Sequence, residues 1–242
     1  ATGDDTSVIA TNVRMSNNSA LHGGAVYVTD NAKFESYAVN PQSCWEKGRC
    51  NRYINNRASS NNGLGGAFYA RDGGQLLVKT AHIEKNVADL GAGFYLAGAG
   101  TKLELEGSYV VRNGASGSSD YANVFPVRLL SGAEARIDYS TIADNNASSA
   151  SIGNSASSLR IYSSIVHDVS GADALIEYSP IVSDEQCLIV NAMGDVTDNS
   201  DNIVDDPVFV DRANNDFHIN SMFSIAVDYC DESQSQAHHT TQ

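Results

Sequence analysis

The residues that could do chemistry stand at matching places in four segments of one alternating pattern. The segments are "QLLVKTAHIEKN", "KLELEGSYVVRN", "EARIDYSTIADN" and "SLRIYSSIVHD". Their alignment brings His82 and Tyr109 into one column, with Lys79 and Arg136 in nearby columns. A polysaccharide lyase needs a base to remove the proton beside a uronate carboxylate, and a cation or Arg to neutralise that carboxylate. These four residues are candidates for those roles.

Glu106 and Asp138 fall in one column of the same alignment. A glycoside hydrolase uses two carboxylates about 5–10 Å apart, so this pair is a candidate for that chemistry. The alternative interpretation, which we favour, is that the columns hold charge pairs between neighbouring strands, Lys79 with Glu106 and Glu104 with Arg136. Such exposed pairs stabilise a fold by less than ~1 kcal/mol each.

A second candidate site is a loop that binds a ligand. Residues 37–57 break the pattern and contain the only Trp. In "CWEKGRC" and its flank, Trp45 is surrounded by three cations, Lys47, Arg49 and Arg52. Aromatic and Arg side chains dominate recognition surfaces, so this loop is a candidate tip for a glycan or protein ligand. The alternative is that Trp45 covers the fold beside it.

The four cysteines predict disulfides. Their even number and the absence of CxxC argue against a zinc or thioredoxin-like site. Five residues separate Cys44 from Cys50, which predicts a short disulfide loop and leaves Cys187 to pair with Cys230. Disulfides indicate an oxidising compartment, although four buried thiols are the alternative.

A third candidate is a calcium site in "DVTDNSDNIVDD". Carboxylate oxygens are the ligands that calcium prefers, but the spacing is not that of an EF-hand, and a solvated acidic loop is the alternative. The net charge of -14 argues against binding to nucleic acid or anionic membranes. The candidate calcium ligands are Asp195, Asp198, Asp201, Asp205 and Asp206.

These side chains depend on a repeat for their positions. An apolar-x-x-Asn element ends at Asn18, Asn86, Asn113 and Asn145, and a degenerate copy ends at Asp168. Alternation with period 2 predicts strands, and a repeat of about 25–35 residues predicts a solenoid. Each Asn is expected to bond the backbone of its own bend and the Asn of the next repeat. We predict an all-β parallel β-helix of about eight coils; a β-sandwich is the alternative.

One domain is expected over residues 1–230, with the insertion at 37–57. Degenerate coils and a cap follow over 170–230, because solenoid ends need protection from edge pairing. Residues 231–242 are expected to be a polar tail. No apolar run reaches the roughly 18 residues of a membrane span.

The phrases "GGAV", "GGAF" and "GAGF" with apolar-x-x-Asn resemble the GGA-I and FxxN repeats of chlamydial polymorphic outer-membrane proteins. The segment "DDPVFVDRANNDFHINSMFSIAVDYCD" is similar to the endings of bacterial secreted right-handed β-helix repeat proteins. Ile, Val or Met stands here where the chlamydial motif has Phe. The resemblance implies a right-handed β-helix that is secreted or displayed at a cell surface, often within an adhesin.

The sequence leaves three functions open. The favoured one is a non-enzymatic module that binds a glycan or protein ligand, either alone or as part of a larger surface protein. The alternative is a polysaccharide lyase or glycoside hydrolase on a pectate-lyase-like fold, since one fold carries many functions. The third is a purely structural segment. An enzyme should show a groove in which the charged columns converge, whereas a binding module should show a flat, solvated face.

Overall fold

The computed structural model describes residues 1–39, 50–59, 61–114, 121–168, 171–197, 201–220 and 224. Over these ranges the chain is all-β, with large parallel sheets, and its single helix is a 3-10 turn at Arg212–Asn214. The period-2 alternation therefore predicted the secondary structure correctly. The architecture is compatible with a β-helix or another solenoid.

The strands, numbered in chain order, occupy three positions in turn along the chain. The first set is β1 (Ser7–Thr11), β5 (Lys33–Tyr37), β9 (Gln75–Lys79), β12 (Lys102–Glu106) and β15 (Glu134–Asp138). The second set is β2 (Arg14–Ser16), β6 (Asn51–Ile54), β10 (Ala81–Glu84), β13 (Tyr109–Val111), β16 (Thr141–Ala143) and β21 (Asn202–Val204). The third set is β4 (Val26–Val28), β8 (Phe68–Arg71), β11 (Phe94–Ala97), β14 (Val127–Leu130), β17 (Ala150–Ser155) and β19 (Asp173–Tyr178).

Two long strands connect the first two sets. β18 (Ser158–His167) and β20 (Val182–Val190) continue through both, so that the two sets form one 13-stranded sheet. The third set is a separate six-stranded parallel sheet. Two short pairs remain: β3 (Ser19–Ala20) with β7 (Arg57–Ala58), and β22 (Phe209–Asp211) antiparallel to β23 (Asp216–Ile219).

The core lies between the sheets and is built from register partners. Leu76, Leu103 and Leu159 belong to one inward column of the first set, and each is at most 2% exposed. Across from them, the rings of Phe68 and Phe94 stack with centroids 4.7 Å apart. Because strands in a parallel sheet are about 4.8 Å apart, identical side chains at one position pack directly on each other.

The predicted asparagine ladder is present at the bend after the second set. The Oδ1 atom of Asn113 accepts hydrogen bonds from the backbone N–H of Asn86 at 3.0 Å and from its Nδ2 at 2.9 Å. The same arrangement links Asn113 to Asn145, and Asn145 to Asp168. The residue before each Asn has a positive φ, as at Lys85 (55°) and Arg112 (54°). The ladder holds these strained bends in place.

The ladder has a member that the sequence pattern missed, and it shortens the predicted insertion. Asn56 bonds Asn86 at 3.0 Å, and β6 pairs in register with β10. Residues 51–58 therefore belong to the repeat and not to the 37–57 insertion. The apolar position is filled by Tyr53, which is fully buried and donates its hydroxyl hydrogen to Ser36 at 2.7 Å.

The repeat continues into the predicted C-terminal region, where β19, β20 and β21 keep parallel register with earlier strands. The β22–β23 hairpin then folds back onto the outer face of the second set. Phe217 is 2% exposed and packs with Val111 and Ala143. Arg212 forms an ion pair with Asp144. This part of the predicted cap covers a side of the sheet. The predicted tail at 231–242 lies outside the described residues.

Candidate ligand-binding site

The six candidate catalytic residues lie on two different faces. Four are on the outer face of the first set, and the two others, His82 and Tyr109, are on the outer face of the second set. A bend at Thr80, with a φ of 51°, separates Lys79 from His82. The four residues on the first face are Lys79, Glu106, Arg136 and Asp138.

The first face is a set of charge pairs. Glu106 is the register partner of both Lys79 and Asp138, as the alignment predicted. Lys79 Nζ lies 2.5 Å from Glu106 Oε2, and Arg136 Nε lies 2.6 Å from Asp138 Oδ2. Arg136 is beside Glu104 in register, yet it pairs along its own strand. Each candidate carboxylate therefore has its own cation beside it.

On the second face, the histidine is covered. His82 is 1% exposed, and its Nε2 lies 3.1 Å from Glu84 Oε2. The other Glu84 oxygen contacts Lys85 Nζ at 2.6 Å and Asn215 Nδ2 of the hairpin at 3.2 Å. Burial acts to raise the pKa of Glu84, but hydrogen bonds from His82 and Lys85 outweigh it and hold that pKa at about 2. Glu84 is therefore an ionised anchor for this face.

Tyr109 lies beneath the same hairpin. Its ring centroid is 5.9 Å from that of His82 and 6.4 Å from that of Phe217. Neither candidate base shares an open groove with Lys79 or Arg136, which lie on the other face. The convergence that a lyase would need is therefore not formed by these residues.

The predicted calcium loop does not assemble over its described residues. Asp195 accepts the backbone N–H of Glu177 at 2.6 Å, and Asp206 accepts that of Val208 at 2.9 Å. Asp205 accepts the N–H of Asp206 at 2.7 Å, while Asp198 lies outside the described residues. Within the described ranges no group of three or more His, Cys, Asp or Glu could hold a metal ion, so Asp201 joins no such group.

Most of the predicted recognition loop lies outside the described residues: Trp45, Lys47, Arg49 and Cys44. Arg52 is described, and it does not belong to a tip. It lies on β6, between Arg14 and His82 in an outer column of the second set. Cys50 and Cys187 are not free thiols, but Cys230 is also outside the described ranges, so both disulfide pairings stay predictions.

A cleft that sequence analysis missed lies at the bend between the second and third sets. Its volume is about 400 Å³. The bend that carries the ladder also positions its walls, because the residue before each ladder Asn turns outward with a positive φ. The lining residues are Asn17, Asn18, Ser19, Asn55, Arg57, Lys85 and Val87.

Two cations in this cleft differ in their partners. Lys85 pairs with Glu84, whereas Arg57 has no carboxylate within 4.0 Å over the described part of the chain. Its guanidinium lies 5.7 Å from the ring centroid of Tyr121. An Arg held on an aromatic ring keeps its N–H donors for a carboxylate or sulfate. Amide side chains beside it, such as that of Asn55, can both donate to and accept from sugar hydroxyls.

The signal for this cleft was visible in the sequence. Asn17, Asn55 and Lys85 all precede a ladder Asn, so one polar position recurs at three successive bends. The inward Asn of each pair forms the ladder, and its outward neighbour lines the cleft. Arg57 follows Asn56 by one residue and was concealed by the misplaced end of the insertion.

A tyrosine column on the third set was missed as well. Tyr27, Tyr69 and Tyr95 are register partners from "GGAVYV", "GGAFYA" and "GAGFYL". Their ring centroids are 5.1 and 5.4 Å apart, and the planes are within 21° of parallel. Because the rings stack on each other, their faces are already in use. This column therefore supports the fold and offers little ring surface to a sugar.

Over the described residues, no helix has the length and apolar character needed to cross a membrane. The chain matches no protein-family model, no curated protein and no solved structure.

Proposed function

We propose that this chain is a right-handed parallel β-helix of about eight coils. We further propose that it serves as a non-enzymatic, secreted or cell-surface binding module similar to the repeats of polymorphic outer-membrane proteins and adhesins. Three observations support the fold proposal: the fixed order of the three strand sets, their parallel register, and the asparagine ladder at one bend. The disulfides expected at Cys44–Cys50 and Cys187–Cys230 belong to the same proposal.

The cleft around Arg57 carries the functional proposal. It joins a guanidinium that has no carboxylate partner in the described chain to a second cation and several amide groups. The chain as a whole is acidic, with a net charge of -14. A ligand with carboxylate or sulfate groups would therefore be attracted to this cleft and repelled elsewhere. We propose an acidic glycan as that ligand.

The enzymatic alternative receives less support from the geometry. Lys79 and Arg136 are occupied by carboxylates on one face, while His82 is covered on another. A lyase would have to open the hairpin and move groups across the bend at Thr80. A binding role requires neither movement.

The test is a binding screen against neutral, uronate-bearing and sulfated glycans at two salt concentrations. We expect binding to the anionic glycans that weakens with salt, and a loss of roughly tenfold or more in Arg57→Ala, because a hydrogen bond to a charged group contributes about 1.5–3 kcal/mol. Lys102→Ala is the matched control, since Lys102 is an exposed cation on the first face.

Release of unsaturated product from uronate polymers is measured on the same sample. Turnover would overturn the non-enzymatic proposal. Equal binding by Arg57→Ala and wild type would remove the cleft as the site.

A further inference from the structure

The interior changes from apolar to polar at the C-terminal end of the strand sets. In the third set, the inward column runs from Leu129 to Asn154 and then Glu177. In the first set, Leu159 is followed by Ser183, and Ile161 by Glu185. Leu129, Leu159 and Ile161 belong to the hydrophobic core, so the polar side chains that follow them in register project into the same interior.

These polar groups contact one another directly. Asn154 Nδ2 donates to Glu177 Oε1 at 2.8 Å, and Ser183 Oγ lies 2.5 Å from the same oxygen. Ser183 Oγ also contacts Glu185 Oε1. Thr197 Oγ1 lies 3.5 Å from the second Glu185 oxygen. Asn154 is fully buried, and Glu185 is 5% exposed.

The cluster has more acceptors than donors, even with the backbone N–H of Thr197, which also donates to Glu185. Ser183 has one hydroxyl hydrogen, yet its oxygen contacts two carboxylates. Asn154 Oδ1 is buried and has no hydrogen-bond partner over the described residues. No Lys, Arg or His forms an ion pair with Glu177 or Glu185 within the described ranges. Buried acceptors and charges of this kind are costly unless something positive satisfies them.

We propose that Glu177 and Glu185, with oxygen atoms of Asn154, Ser183 and Thr197, form a binding site for calcium. Carboxylate, amide and hydroxyl oxygens are hard ligands of the type that calcium takes. Two acidic residues supply the charge, and the neutral oxygens complete the set. This site lies inside the last strands and uses none of the five Asp of the acidic loop at 195–206, from which only Thr197 contributes. Exposed Thr197 places it next to solvent, so an ion can enter.

Calorimetry and thermal unfolding of the whole chain test the site, with calcium chloride as the probe after chelator treatment. For the wild type we expect saturable binding and a rise in Tm of about 5 °C or more at a hundredfold excess over the Kd. Glu177→Gln with Glu185→Gln should abolish both effects. Asp205→Asn with Asp206→Asn is the matched control and should keep them.

Circular dichroism at 20 °C verifies that each variant is folded. The proposal fails if calcium leaves the wild-type Tm unchanged, or if the double Gln variant responds like the wild type. A response lost in the Asp205/Asp206 control would place calcium on the exposed loop and would also overturn it. If calcium has no effect and the double Gln variant is more stable than the wild type at neutral pH, Glu177 and Glu185 share a proton instead of binding calcium.

Discussion

The middle and the C-terminal end of the interior share one strand register but differ in chemistry. In the middle, Leu105 and Ile137 pack in one column and are at most 1% exposed. Two strands beyond Ile137 the same column holds Glu185, and Asp168 takes the place of Asn in the ladder between Asn145 and Asn191. Parallel register is therefore maintained by backbone hydrogen bonds and bends, while the side chains inside can change from apolar to acidic. The middle should supply stability, and the end should respond to ions and pH.

The largest expected effect comes from opening a cavity in the middle. Leu105→Ala should lower the free energy of unfolding by about 2–5 kcal/mol, because it removes fully buried methyl groups from a tightly packed column. Ser183→Ala, three strands beyond in the adjacent column, should cost less, because it removes one hydroxyl group and opens little space. Urea unfolding followed by far-UV circular dichroism measures both. Equal losses would contradict the division into an apolar middle and a polar end.

The next effect is the pH response of Asp168, which is 1% exposed. Burial raises its pKa from 3.8 to about 7, and hydrogen bonds from Ser151 and Asn145 offset only part of that rise. The folded state then binds this proton more tightly than the unfolded state does. The contribution of this proton to the free energy of unfolding is complete below about pH 4 and is lost as the pH rises through 7.

Asp168→Asn should remove this part of the pH dependence of stability. At about 1.4 kcal/mol per pKa unit, the wild type loses at most ~4 kcal/mol from this group between pH 4 and 8. The variant should therefore be less stable than, or equal to, the wild type at pH 4.5 and more stable at pH 8. Urea unfolding at both pH values gives the comparison. A wild-type minus variant difference that stays constant with pH would refute the role of Asp168.

The stability that is lost when a ladder Asn is replaced should increase with the burial of that Asn. Asn113 is fully buried; it accepts from Asn86 and donates to Ile83 O at 3.0 Å. Asn113→Ala leaves these partners unsatisfied and should cost about 2–3 kcal/mol. Asn18→Ala at the exposed N-terminal end should cost about 1 kcal/mol or less. Thermal unfolding of the two variants measures the difference, and a larger loss at Asn18 would contradict a ladder that acts through burial.

Local repetition explains what the sequence could predict. The inward columns, the Lys79–Glu106 pair and the ladder all follow from side chains that recur at fixed spacing, and each is present. Tyr53 hid one repeat, because a large aromatic with a hydroxyl took a place where aliphatic residues were expected. Its partner, Ser36, supplies the hydrogen bond that makes the substitution possible.

The remaining features depend on contacts between distant parts of the chain. Arg212 and Asp144 are 68 residues apart, and nothing periodic connects them, so the covering of His82 by the hairpin was not foreseeable. Arg57 and Lys85 meet because two bends are adjacent in space. The cluster at Glu177 and Glu185 combines two different strand sets. None of these contacts can be recognised before the fold is known.

The smallest effect is expected at the charge pairs on the outer face of the first set. Lys79 and Glu106 are 40% and 47% exposed, so water screens their attraction. A double-mutant cycle of Lys79→Ala and Glu106→Ala should give a coupling of less than ~1 kcal/mol that decreases with added salt. A coupling of several kcal/mol, insensitive to salt, would mean that the pair is desolvated. The outer face would then resemble a buried site, and the enzymatic alternative for Lys79 and Glu106 would regain its physical basis.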